Sequence, residues 1–196
     1  MMTASKRRIT PNDIIPYKTY AEARAELRRN LIPVKKNRRV EVGPFATFHF
    51  ESYETMWLQV QEMLHIEKGG NAQLEGELEA YNPLIPQGNE LIATLLLEIE
   101  DAVQRDKVLK TLGGIEETIF FSLDGETVKG TPTEYEDRTT PDGKTSSVHW
   151  IRFRFMPAQI AKFKSGKDVL EIAHPNYGHM AVLPPAVRDE LAKDFS

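Results

Sequence analysis

The residues from Leu91 to Ile99, LIATLLLEI, form the most apolar run of the chain, with no regular polar alternation before Glu98. A run of this kind is typical of a strand that is buried on both faces of a sheet. Two prolines precede it, Pro83 and Pro86, and they hold the connector extended because proline fixes φ and restricts the residue before it. The run therefore predicts a central strand, and the fold must cover both of its faces.

Polar side chains flank the entrance to this predicted strand, at Tyr81, Asn82, Asn89 and Glu90. A stiff connector into a buried strand does not by itself need these side chains. Pockets are common where a few polar groups converge beside apolar ones. The segment is therefore either a ligand-binding site or only the structural entry to the strand.

Turn signals and hydrophobic periodicity alternate along the rest of the chain. Gly43-Pro44, Asp124-Gly125 and TTPDGKTS each indicate a tight turn between strands, the last one joining a strand near 134–138 to a strand over 146–155. One predicted helix begins at Tyr17, and a second spans 53–67. Two more follow Gly70 and Asp101, and the last two cover 156–166 and 184–195. Together, these turns, strands and helices predict a single α+β domain over 16–196, which follows an N-terminal arm over 1–15. Its sheet is largely antiparallel or mixed and has flanking helices.

Composition excludes several kinds of chemistry. The 196 residues include no cysteine, which removes disulfides, thiolate metal sites and cysteine nucleophiles. The sequence has no Gly-rich phosphate loop, nucleophile elbow or dinucleotide-binding fingerprint. The basic N-terminus is not followed by an apolar stretch, and no run approaches the ~20 residues of a spanning helix. These features predict a cytoplasmic protein without a membrane partner.

Charge is distributed unevenly along the chain. Residues 1–44 carry 11 Lys and Arg against 4 Asp and Glu, whereas residues 45–101 carry 1 Lys against 11 Asp and Glu. A basic segment can bind nucleic acid, here through Lys35, Lys36, Arg38 and Arg39. The net charge of −4 opposes phosphate binding, so we favour packing of the basic segment beside the acidic one, within the chain or in a partner, a homodimer being one possibility.

Two histidine patterns could indicate metal sites. Glu62 and His65 form a Glu-x-x-His pair on a predicted helix, but di-iron helical bundles need two such copies and two further glutamates. His174 and His179 lie in a predicted loop without an obvious third ligand. We therefore predict no metal site at either place.

The predicted strand SSVHWIRFRF presents two different faces. By alternation, His149 lies with Ile151 and Phe153, while Arg152 lies with Trp150 on the opposite face. A histidine among apolar residues is usually a core residue, although burial near a carboxylate is also how a general base acquires its pKa. Arg152 could bind a carboxylate or phosphate in two-pronged fashion, or pair with a neighbouring acidic strand residue.

Two stretches, YNPLIPQGNELIATLLLE and KTSSVHWIRFRFMPAQI, resemble a bacterial family catalogued as domain of unknown function 3501. The similarity runs nearly end to end, from ITPNDIIP through KKNRRVEVGP and LQVQEML to HPNY. Genes of that family tend to lie near genes of rubrerythrin-like proteins and iron–sulfur oxidoreductases, so the resemblance implies at most an accessory role in redox or iron metabolism. The family often has arginine where this chain has His65, which further disfavours a metal ligand there.

These observations lead to one main hypothesis and two alternatives. The main one is a protein that binds a small ligand or a protein partner, with a candidate site formed by Glu62, Tyr81, Asn82, Asn89, Glu90, His149 and Arg152. The first alternative is an enzyme that uses Glu62 or Glu90 with His149 as an acid–base pair. The second is nucleic-acid binding by the basic segment. The cofactor, the substrate and the oligomeric state do not follow from the sequence.

Overall fold

Eight antiparallel strands form the sheet of the computed structural model, which describes residues 6–133 and 138–195. The strands are β1 (Arg39–Val42), β2 (Ala46–Phe50), β3 (Glu90–Leu97), β4 (Ile119–Leu123), β5 (Glu126–Pro132), β6 (Val148–Arg154), β7 (Asp168–His174) and β8 (Tyr177–Val182). Their order across the sheet is β1-β2-β3-β6-β5-β4-β7-β8. The helices are α1 (Tyr17–Lys36), α2 (Tyr53–Glu67), α3 (Gly70–Tyr81), α4 (Ala102–Leu109), α5 (Pro157–Ser165) and α6 (Pro185–Leu191).

The apolar run that dominates the sequence forms β3, which lies between β2 and β6. Only Thr94 and Leu96 of its eight residues are partly exposed, and the rest are buried. The predicted central strand is therefore confirmed, as is the single α+β domain with an antiparallel sheet. The two faces of β3 are covered by different parts of the chain, and this difference decides where the candidate site residues lie.

One face of the sheet, called the inner face here, curls around an aromatic core. Phe48, Phe50, Phe121 and Phe153 project from three strands of this face, β2, β4 and β6, and the Phe121 and Phe153 rings meet edge to face with centroids 4.8 Å apart. Edge-to-face contacts of this kind add to the stabilisation that burial provides. Further phenylalanines from the α5 region and the C-terminal segment complete the cluster, namely Phe155, Phe163 and Phe195.

The curl brings the two ends of the sheet together. The Tyr177 hydroxyl accepts the N–H groups of Phe45 and Ala46, at 2.8 and 2.9 Å, and donates to the Val42 carbonyl at 2.8 Å. Gly43 makes this approach possible, because its φ is +73° and a Cβ there would lie 2.5 Å from the His179 ring. The turn between β1 and β2 thus packs against β8 at the opposite end of the strand order.

The other face, called the outer face, carries the long helices. Met56 and Val60 of α2 pack onto Ile92, and α1 and α3 in turn pack against α2. Ser52 caps α2 by accepting the Thr55 N–H, as the sequence predicts for a helix over 53–67. Helix α1 continues for one turn beyond Pro33, so the proline does not end it at once. Among the described residues, no helix is both long and apolar enough to cross a membrane.

Two local predictions are not confirmed: the structure corrects one, and the other falls mostly on residues that the structure does not describe. The HPNYGH segment is not the loop that the sequence predicts: His174 ends β7, His179 lies in β8, and only Pro175 and Asn176 form the turn between them. The antiparallel pairing of β7 with β8 runs up to this turn and places Ile172 opposite His179. The predicted strand near 134–138 falls largely on residues 134–137, which lie outside the described part of the chain.

Candidate functional site

A cleft of about 880 Å³ opens between the N-terminal segment and the first three helices. Its volume lies within the range of small-molecule sites in proteins. The lining is mostly apolar and aromatic and comes from three stretches of the chain. We call it the helical cleft; its lining residues are Pro11, Ile14, Ile15, Pro16, Tyr17, Tyr20, Gln61, Leu64, His65, Lys68, Gly70, Leu74 and Glu75.

Two polar nitrogens on α2 are buried at this cleft without a hydrogen-bond partner among the described residues. Gln61 is 2% exposed, and its amide Nε2 has no acceptor. One turn further along α2, Nδ1 of His65 is also buried and unpartnered. Residues four apart lie on the same face of a helix, so the two nitrogens line one side of the cleft. Because buried polar groups in proteins are almost always hydrogen-bonded, the two nitrogens favour a bound partner: an acceptor for the Gln61 amide, and a donor or an acceptor for His65, depending on its tautomer.

Aromatic rings hold His65 in position. The Tyr17 ring stacks on the imidazole with centroids 5.1 Å apart, and Tyr20 meets it edge-on at 5.7 Å. Tyr17 is 48% exposed, so one of its faces is available to a molecule in the cleft. The rings therefore form a flat wall beside the unpartnered nitrogens.

Glu62 lies behind this wall and is fully engaged by α1. Arg24 donates to both of its carboxylate oxygens, at 2.8 and 2.7 Å, Arg28 adds a bond at 3.2 Å, and the Tyr20 hydroxyl donates a further one. These donors favour the charged carboxylate, and they lower the pKa of Glu62 to about 2, with the Arg24 hydrogen bond as the main cause. Glu62 thus fixes Tyr20 and the α1–α2 packing, and does not face the cleft as a free base.

The N-terminal segment forms the remaining wall and is anchored to the domain. The Asn82 side chain accepts the Ile9 N–H at 2.7 Å and donates to the Ile9 carbonyl at 3.0 Å. Trp57 donates its indole N–H to the Asp13 carbonyl at 2.8 Å. Ile9 is 1% exposed, so the segment is packed like a core element. Asn82, a predicted site residue, therefore helps to build the cleft from outside it.

The structure brings Glu90 and Arg152 together on the outer face. Glu90 is 3% exposed, and Nη1 of Arg152 lies 2.9 and 3.0 Å from its two carboxylate oxygens. Arg152 also donates to the Pro83 carbonyl at 2.8 Å, so the pair ties β6 to the proline-rich connector. Arg154, opposite Glu90 in the register, is a weaker partner at 3.7 Å. This ion pair satisfies both groups within the protein.

His149 lies on the inner face, with the sheet between it and Glu90. It is 1% exposed, its Nε2 lies 2.9 Å from the Ser146 carbonyl, and Nδ1 is 3.8 Å from the Glu116 carboxylate. Burial lowers the pKa of His149, although Glu116 opposes this effect. Since Glu62 and Glu90 lie on the outer side of the sheet, the structure does not bring either carboxylate to His149.

Tyr81 and Asn89 lie apart from one another. Tyr81 ends α3 and receives a long 3.5 Å bond from Gln59, whereas Asn89 is exposed and uses its backbone carbonyl to accept the Phe155 N–H at 2.8 Å. The predicted constellation is therefore divided. The Glu62 network, the Glu90–Arg152 pair and the buried His149 lie in separate places, and Tyr81, Asn82 and Asn89 have other hydrogen-bond partners.

The predicted nucleic-acid segment is also divided. Arg38 is 3% exposed and donates to the carbonyls of Phe50 and Glu51. Arg39 lies 3.0 Å from Glu41. Lys35 and Lys36 are exposed, and neither forms an ion pair with another of the described residues. In residues 6–133 and 138–195, no three His, Asp or Glu side chains form a group that could hold a metal ion.

None of the residues that line the helical cleft belongs to the sequence-based site. Gln61 could have been recognised from the sequence as a candidate binding residue, because it follows Trp57 by four residues and so lies on the apolar face of α2. A glutamine on the buried face of a helix is unusual and needs a partner. Tyr17 and Tyr20 gave no comparable signal, because aromatic residues on an amphipathic helix are equally typical of a core.

The fold and the cleft together define a single-domain α+β protein with a curled antiparallel sheet and a ligand-sized helical cleft on its outer side. The chain belongs to the family described as protein of unknown function (DUF3501), whose sequence profile matches residues 8–195. The crystal structure of a novel protein of unknown function from Burkholderia pseudomallei K96243 is similar, with 36% identity and a TM-score of 0.88 over 96% of this chain and 99% of that one. No curated protein matches this chain.

Proposed function

We propose that the protein binds a small organic molecule in the helical cleft, with an apolar, ring-bearing body and a hydrogen-bond acceptor that faces α2. The observation that carries this proposal is the unpartnered Gln61 amide at a cleft of about 880 Å³. An amide Nε2 is only a donor, so its partner must be an acceptor such as a carbonyl or carboxylate oxygen.

The stacked Tyr17 and His65 rings support the aromatic part of this proposal. An exposed tyrosine face offers a stacking surface, and such contacts contribute about 0.5–1.5 kcal/mol beyond area burial. The cleft walls are also held rigidly, by the Glu62 network on one side and the Asn82–Ile9 bonds on the other. A preformed wall lowers the entropy loss on binding.

A fluorescent probe tests the proposal directly. Nile red has a flat apolar body and a carbonyl acceptor, and we expect saturable one-to-one binding with increased fluorescence. Tyr17→Ala should weaken this binding roughly two- to tenfold, the equivalent of one stacking contact. Ile32→Ala is the matched control, because Ile32 is a 62% exposed apolar residue of the same helix and does not line the cleft.

Two outcomes would contradict the proposal. One is the absence of saturable binding, and the other is an equal effect of Tyr17→Ala and Ile32→Ala. Native mass spectrometry of the protein purified from its own host, followed by organic extraction, then identifies the natural occupant.

The remaining expectations stay predictions. A cytoplasmic location, a protein partner or homodimer, and an accessory role in redox or iron metabolism are compatible with a small-molecule binding protein, and each needs its own experiment. The acid–base enzyme also stays an alternative prediction; in the structure the carboxylate beside His149 is that of Glu116, at 3.8 Å.

A further inference from the structure

A second, smaller cavity of about 210 Å³ lies on the outer face of the sheet, between β2 and β3 and the ends of α1 and α2. Its volume corresponds to about seven water molecules at ~30 Å³ each. We call it the sheet cavity; its lining residues are Lys35, Arg38, His49, Phe50, Glu51, Thr55, Met56, Gln59, Thr94 and Leu96. It shares no lining residue with the helical cleft.

His49 provides an open hydrogen-bonding position in this cavity. Its Nε2 is buried and has no partner among the described residues. Burial is the largest influence on this imidazole and lowers its pKa, and the nearby charges of Arg39 and Lys35 act in the same direction while Glu98 opposes them. His49 is therefore neutral at pH 7, and either ring nitrogen can carry the proton.

The Glu51 carboxyl also lines the cavity, but it is not a hydrogen-bond partner of His49 Nε2. Its carboxyl oxygens are bonded to the Thr55 and Thr94 hydroxyls, at 2.6 and 2.7 Å, and the residue is 8% exposed. Burial raises the pKa of Glu51, against the effect of the two hydroxyls and of Lys35 and Arg38. Burial thus disfavours the charged form of this carboxyl, and both of its oxygens already accept a hydroxyl hydrogen bond.

The basic side chains around the cavity differ in how they are paired. The Arg38 guanidinium is paired with Asp194 and lies 3.5 Å from Glu190. Arg39 lies 3.6 Å from Glu98, which also accepts the Thr47 hydroxyl. Lys35, at the rim, has no carboxylate of the described residues as an ion-pair partner and acts electrostatically on the cavity.

We propose that the sheet cavity binds a small carboxylate anion between the His49 imidazole and the Lys35 amine. An Nε2–H of His49 gives the anion a hydrogen bond, Lys35 gives it a counter-charge, and the cavity admits only a few heavy atoms. A bound anion also favours protonation of His49. Binding therefore strengthens as the pH falls towards the pKa of this histidine, with uptake of at most one proton per anion.

Acetate and acetamide are the probes, because they have the same shape and differ in charge. Titration of the protein at pH 6.5 is followed through the side-chain NMR signals of its five histidines, with His49 assigned by the signal lost in His49→Gln. We expect acetate to shift the His49 signal saturably and acetamide to shift it much less.

Lys35→Met should weaken acetate binding about five- to tenfold, since a rim charge is partly screened by solvent. Lys36→Met removes the same charge one residue further along α1, outside the cavity lining, and should leave binding unchanged. An unshifted His49 signal, equal binding of acetate and acetamide, or equal effects of the two lysine variants would each overturn the proposal. Thermal unfolding of each variant verifies that the fold is intact.

Discussion

The Gln61→Leu substitution tests whether the helical cleft is kept at the expense of stability. Leucine and glutamine have similar size, and at 2% exposure the substitution replaces a buried, unpartnered amide by an apolar group. Leaving a buried polar group unpaired costs about 1–3 kcal/mol. Leucine also loses about 1 kcal/mol less side-chain entropy than glutamine on burial.

Together these effects predict a stabilisation of at least about 2 kcal/mol for Gln61→Leu. For a chain of this length, that corresponds to a rise in Tm of about 4–8 °C. Urea unfolding followed by circular dichroism gives the free energy directly. Gln104→Leu is the control, because Gln104 is exposed on α4 and its change should remain within about 0.5 kcal/mol.

Although Gln61→Leu should stabilise the fold, it should weaken the binding of a ligand that has an acceptor. Loss of the Gln61 donor should weaken Nile red about three- to tenfold, the worth of one buried hydrogen bond. Phenylnaphthylamine, which has no carbonyl acceptor, should bind equally well or more tightly. A destabilisation above about 1 kcal/mol by Gln61→Leu would show that the amide already has a favourable partner, and the reasoning would then fail.

Three further substitutions test other parts of the structure. Glu90→Ala leaves Arg152 unpaired beside a buried strand and should lower the free energy of unfolding by about 3 kcal/mol while Nile red binding is retained. Asp168 is 1% exposed, neither of its carboxylate oxygens has a hydrogen-bond partner within residues 6–133 and 138–195, and burial raises its pKa to about 6 from 3.8. Its ionisation therefore destabilises the protein as the pH rises from about 4 to 7, by up to about 3 kcal/mol, and Asp168→Asn should remove that loss. Tyr177→Phe removes three hydrogen bonds at the junction of the sheet ends and should cost about 3 kcal/mol.

Each of these predictions has its own contrary result. Loss of Nile red binding by folded Glu90→Ala protein would return this residue to the ligand site. For Asp168, an equal pH dependence of the unfolding free energy in both proteins between pH 4 and 7 would be inconsistent with a buried, unpartnered carboxyl. A change below about 0.5 kcal/mol for Tyr177→Phe would mean that water replaces the hydroxyl.

Local physical rules accounted for most of the fold. The cap at Ser52, the turn at Gly43 and the unbroken apolar run of β3 depend on neighbouring residues, and the sequence displays them directly. The loop prediction for the HPNYGH segment was wrong because β8, which follows the two-residue turn, is mostly exposed and shows no regular burial pattern.

The candidate site depended on information that the sequence does not carry. Alternation correctly placed His149 and Arg152 on opposite faces of one strand, but did not show which face receives Glu90. The helical cleft joins residues 11–20 to residues 61–75, so no local pattern spans it. That Gln61 is unpartnered depends on every atom around it, and only the packed structure reveals this.

The buried Arg38 has a consequence for the order of folding during synthesis. Its guanidinium lies at the junction of α1 and β1, yet its carboxylate partners are Asp194 and Glu190, more than 150 positions later in the chain. A growing polypeptide that has already exposed α1 and β1 must therefore hold this cation in water until the last helix emerges from the ribosome. Closure of the N-terminal half of the sheet then becomes a late event, and chains that stop before α6 retain an unpaired charge in a place built to exclude solvent.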